Sequence, residues 1–149
     1  MAIYLEDDVL KAIQQHAVDT YPDECCGFMF GTVDASDQRH VHVHLPVENI
    51  RSENRSRRFE ISPREYMAAE AYAEEHGWSL VGIYHSHPDH PPEPSGRDLE
   101  GAQGVGGGPS FAFVIQSVRQ GKAADLMSWL LLDEGTRFAQ EELVVSGEG

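Results

Sequence analysis

The sequence predicts an α+β fold: a mostly antiparallel sheet flanked by two main helices, with a short third helix between strands. Two patterns predict it. Apolar residues recur at helical spacing in two segments, and short apolar or alternating runs bounded by turn residues recur in seven others. Size supplies the third observation. With 149 residues, 40% of them hydrophobic, the chain can bury the core of one domain, taken as residues 1–149, and has no room for two comfortable ones.

Residues 6–20 read as the first helix, because Val9, Ile13 and Ala17 recur at i, i+4 and i+8 and acids fill its first turn, where the helix dipole favours them. Tyr21-Pro22-Asp23 ends it. Residues 24–33 are strand-like and mostly apolar. Residues 39–47 alternate, with His40, His42 and His44 on one face and Val41, Val43 and Leu45 on the other. A polar loop over 51–58 leads into a short strand at 59–61. Ser62-Pro63-Arg64-Glu65 then offers a capping box and a proline at the first helical position, opening a helix to His76 that stops at Gly77. Residues 79–87 form a strand ended by Pro88. Four of the eight prolines fall in 88–94, making that loop stiff and extended. A short helix over 95–103 follows, then strands at 111–118, 124–132 and 136–145. The glycine-rich stretch 104–109 reads as a mobile loop before a core strand.

Charge narrows the function classes. The chain carries 25 Asp and Glu against 11 Lys and Arg, a formal net of −14, which opposes nucleic acid and anionic membranes as main partners. Only Lys11 and Lys122 are lysines. A salt-rich cytoplasm favours such a composition, and an ordinary acidic protein shows it too. No apolar run approaches the roughly 20 residues of a membrane span, and acids stand where a signal peptide would carry basic residues. The adjacent Cys25 and Cys26 cannot build a disulfide framework, so a cytoplasmic location is expected.

The chemistry concentrates after position 85. On a strand, residues i and i+2 share a face, so His85 and His87 can meet one metal ion, and Asp98 returns in the first turn of the next helix. Two imidazoles and a carboxylate make a three-ligand site of the kind that holds catalytic zinc with a fourth position open. Each part alone has a plainer reading: His-x-His suits a polar strand face, and Ser95 with Asp98 suits an ordinary helix start. The rival stripe His40, His42 and His44 is poor for one ion, because alternate residues lie ~6.6 Å apart. His90 is expected to be solvated. Cys26 is expected to line the cleft and Cys25 to face the core. Arg51, Arg55, Arg57, Arg58 and Arg64 either pair locally with Glu53, Glu60 and Glu65 or dock an acidic partner or a carboxylate.

His85-x-His87, ten residues, then Asp98, with Ser95 three before it and a proline after the second histidine, resembles the JAMM motif of the MPN/JAB-domain zinc metalloproteases. The segment 21–31, containing Glu24, and Phe59-Glu60-Ile61-Ser62-Pro63 resemble the short prokaryotic, stand-alone members. The resemblance implies an MPN/JAMM, cytidine-deaminase-like fold and a Zn²⁺ ion on His85, His87 and Asp98. It also implies Glu24 as general base and Ser95 as donor to the oxyanion. It further implies hydrolysis after the Gly-Gly tail of a small ubiquitin-like protein, a sulfur carrier among the candidates, as a peptidase or an isopeptidase. A non-catalytic zinc-containing binding module is the alternative.

Overall fold

The computed structural model of the protein describes residues 1–105 and 107–146. Gly106, within the glycine-rich stretch read as a loop, lies outside them. The elements in chain order are β1 (Ala2–Glu6), α1 (Asp7–Thr20), β2 (Cys26–Val33), β3 (Arg39–Val47), α2 (Pro63–His76), β4 (Ser79–Pro88), α3 (Gly96–Gln103), β5 (Ala112–Arg119), β6 (Lys122–Leu132) and β7 (Arg137–Ser146). No helix among the described residues is long and apolar enough to cross a membrane.

The expected mostly antiparallel sheet with two flanking helices is corrected. The strands close into a mixed barrel in the order β1-β3-β2-β4-β5-β6-β7. The element that closes it is β1, which the sequence reading passed over. It pairs parallel with β3 on one side and with β7 on the other. A further parallel pair joins β4 to β5, with α3 in the connection between them. Parallel neighbours need such crossovers, whereas antiparallel ones can be joined by tight turns. The β5–β6 hairpin shows the latter, with Gln120 (φ 50) and Gly121 (φ 79) both left-handed, as a primed two-residue turn requires.

Two apolar clusters lie on opposite faces of the barrel wall. Val9, Ile13 and Ala17 of α1 pack with Ile3, Leu5, Val41 and Val114 on one. Ala69 and Ala73 of α2 and Ala102 of α3 pack with Phe28, Phe30 and Phe113 on the other. The Ser62 side chain caps α2 by accepting from the Arg64 N–H, one residue earlier than a capping box requires, and Gly77 ends the helix at φ 70. The capping box forms at α3 instead. Residues 59–61, expected as a short strand, form none; the Ile50 N–H donates to the Glu60 carbonyl at 3.0 Å. Within the barrel wall Arg39 of β3 is paired with Glu141 of β7, which also accepts from the Ser128 hydroxyl of β6 at 2.7 Å.

Candidate active site

The site is built where β2, β4 and α3 meet. Cys26 pairs with His85 in the antiparallel β2–β4 ladder, and the Ser86 N–H reaches the Cys25 carbonyl at 3.2 Å. That register sets Glu24 opposite His87. Ser86, between the two histidines, also accepts from the Cys25 N–H at 2.8 Å, so the start of β2 is pinned beside the metal-ligand pattern.

The capping box aims Asp98. Ser95 Oγ accepts from the Asp98 N–H at 3.1 Å, and Asp98 Oδ2 accepts from the Ser95 N–H at 2.9 Å. The carboxylate so held lies 3.0 Å from His87 Nε2 and 3.3 Å from His85 Nε2, and the two Nε2 atoms are 3.1 Å apart. Donors on a tetrahedral ion with ~2.0 Å bonds would be about 3.3 Å from one another. His87 Nδ1 donates to the Pro91 carbonyl at 2.8 Å, which turns Nε2 inward toward His85 and Asp98. Two inward imidazole nitrogens and a carboxylate at this spacing fit a divalent cation.

The electrostatics follow from burial. Glu24 is 3% exposed and its Oε1 has no partner among the described residues. Burial pushes its carboxyl up to about 7, with the charges of His85 and His87 opposing and that of Asp98 adding. Burial would also raise Asp98, but the charge of His85 and hydrogen bonds from His85, His87 and the Ser95 N–H hold it well below the usual carboxylate range. Two carboxylates thus sit in one site with opposite proton affinities.

Two cavities flank this centre. One, of about 600 Å³, is lined by Glu24, His87 and Ser95; the other, of about 660 Å³, by His85, Asp98 and the apolar side chains Phe59, Ile61, Tyr66 and Ile83. Phe59 stacks on His85 with ring centroids 4.5 Å apart. The proline-rich loop is tied to β5 and β6: Ser117 Oγ donates to the His90 carbonyl at 2.5 Å and Trp129 Nε1 to the Pro92 carbonyl at 2.9 Å.

The structure therefore brings His85, His87, Asp98, Glu24 and Ser95 together. The His90 side chain is exposed, outside the metal-ligand group. His40, His42 and His44 form no such group among the described residues. His40 stacks on Tyr4 and pairs with Asp34, while His42 pairs with Glu6. Cys26 does not line the cleft as expected. It is fully buried in the apolar cluster with Phe28, Ala69 and Ile83, and burial raises both thiols, Cys25 to about 12. Of the arginine loop, Arg51 lies near Glu60 at 3.6 Å.

Two contributors carried no sequence signal. Asn49 donates to the carbonyls of Glu24 and Arg58 and accepts from the N–H groups of Arg51 and Glu60, stitching the arginine loop to the backbone of Glu24. Arg97, on the first turn of α3, lines both cavities.

A family model of prokaryotic homologs of the JAB domain matches residues 6–132. The chain belongs to that family. This JAB-domain chain is 38% identical over 137 residues to the desampylase of Pyrococcus furiosus, covering 92% of this chain and 83% of that one. It is 33% identical over 93 residues to a Lys-63-specific deubiquitinase of Xenopus tropicalis, covering 58% of this chain and 35% of that one. A solution structure of a Desulfitobacterium hafniense protein matches the JAB-domain fold with a TM-score of 0.80 at 28% identity, over 98% of this chain and 94% of that one.

Proposed function

We propose that this chain is a zinc-dependent peptidase hydrolysing the bond after the Gly-Gly tail of a small ubiquitin-like protein. The coarser part of this reading, a JAB-domain hydrolase acting on ubiquitin-like proteins, is supported by relatives named desampylase and deubiquitinase. The observation that carries it is a buried carboxyl, Glu24, whose Oε1 has no partner among the described residues, beside three convergent ligand atoms. A purely structural metal site needs no such group, which disfavours a non-catalytic binding module.

His85, His87 and Asp98 would hold the zinc, which supplies Lewis acidity toward a carbonyl oxygen and acidifies a water. Glu24, raised to about 7 by burial, is poised to take a proton from the attacking water and deliver it to the leaving amine. The Ser95 oxygen accepts from the Asp98 N–H, so its own O–H stays free to donate to the developing oxyanion. The apolar walls of the larger cavity exclude water from an extended tail.

Glu24→Gln tests the reading. The variant keeps the fold and the zinc, and turnover of a Gly-Gly-tailed substrate falls by about 10²–10⁴. Equal turnover in variant and wild type would remove Glu24 from the chemistry.

A further inference from the structure

Two arginines, Arg57 and Arg97, line the cavity beside Glu24 on a chain whose formal net charge is −14. Arg57, from the loop stitched down by Asn49, and Arg97, from the first turn of α3, line both cavities and so stand at their junction. Both are exposed. Neither makes an ion pair among the described residues, although Glu93 and Glu100 line the same cavity. Two guanidiniums held apart from nearby carboxylates at a cleft mouth present forked donors without a partner.

The direction of the reaction says which part of a substrate they meet. This step rests on the proposed peptidase reading. Glu24 lies in the smaller cavity, so the amine that receives its proton leaves on that side. The scissile carbonyl faces Ser95, also in the smaller cavity, and the uncharged tail behind it matches the apolar walls of the larger one. Only the leaving side can bring a negative group to the junction. Hydrolysis adds water across the C–N bond, hydroxyl to the acyl carbon and proton to the amine, and the amino acid departs with its carboxylate unchanged.

We infer that Arg57 and Arg97 form a carboxylate-reading subsite on the leaving-group side, which selects substrates whose scissile bond joins the Gly-Gly tail to a terminal amino acid. A lysine side chain of a folded target would offer a neutral backbone there instead. The unassisted N–H groups of Gly96 and Arg97 at the start of α3 add to the same anion-favouring corner, Gly96 also lining the cavity.

The test uses two fluorescein-labelled peptides, Ala-Val-Gly-Gly-Ala with a free carboxylate and the same peptide amidated. Fluorescence anisotropy measures their binding to the zinc-loaded Glu24→Gln chain, and mass spectrometry follows their cleavage by the wild type. The acid is expected to bind about 10-fold more tightly than the amide. Arg57→Gln or Arg97→Gln, placed on that background, should bring the ratio close to one. Equal binding of acid and amide would overturn the subsite and leave the peptidase reading standing. A preference that survives both substitutions would also overturn it, by assigning the carboxylate to the metal. If the wild type cleaves neither peptide, the peptidase reading falls, and the acid-to-amide binding ratio still decides the subsite.

Discussion

At the scale of single residues the metal centre and a half-buried histidine pair make separable predictions. His87 has one nitrogen committed to the Pro91 carbonyl and the other aimed at Asp98, so its removal leaves two ligands. Purified wild type should hold one zinc per chain and His87→Ala almost none, read by metal analysis. Loss of zinc from His42→Ala instead would move the site to β3. Elsewhere, His16 Nδ1 lies 2.8 Å from the Tyr84 hydroxyl, and burial lowers the His16 pKa, the charge of nearby His44 helping. Burial lowers His44 as well. Both prefer to be neutral in the folded state, while the unfolded chain takes up protons below about pH 6.5. Their contribution is therefore complete above that pH and is lost as pH falls through the lower folded values. Melting curves with chelator present should show Tm dropping between pH 7.5 and 5. His16→Gln, which keeps an acceptor for Tyr84, should flatten that drop.

At the scale of elements, most boundaries were legible because helix periodicity, strand alternation and turn chemistry are local. Residues 39–47, 63–76 and 95–103 read directly from such patterns. The metal ligands read equally well, since His85, His87 and Asp98 lie on two consecutive elements. Glu24 entered only through family resemblance, because its place beside His87 depends on the β2–β4 register. Asn49 and Arg97 gave no signal, being an ordinary amide and an ordinary surface charge until the loop and helix are placed. Close strand approach is equally hidden. At the β2–β3 bulge a Cβ on Gly31 would meet the His40 carbonyl oxygen at 1.7 Å. Backbone cannot yield as a side-chain tip does, so Gly31→Ala should destabilise by about 3 kcal/mol, the upper end for overpacking, in urea unfolding.

At the scale of the whole molecule, closure of the barrel escaped the sequence because β1 is five residues long and both its partners are remote. Its last residue, Glu6, also opens the acidic start of α1, and Ile3 and Leu5 offer only a single alternation. The Arg39–Glu141 pair spans this closure, from β3 to β7 across β1. Both side chains are 1% exposed, so removing one strands a buried charge. Arg39→Met should lower unfolding free energy by about 3–5 kcal/mol, measured with denaturant.

The seating of β1 between β3 and β7 also sets a timetable for the newborn chain. One neighbour of β1, β3, leaves the ribosome soon after it, whereas the other, β7, begins only at Arg137. At about 5–20 residues per second, β1 waits on the order of ten seconds with one edge bare. An unpaired apolar edge is a template for wrong pairing during that interval. β2, β4 and α3, which carry the site, all emerge before the strand that shuts the ring.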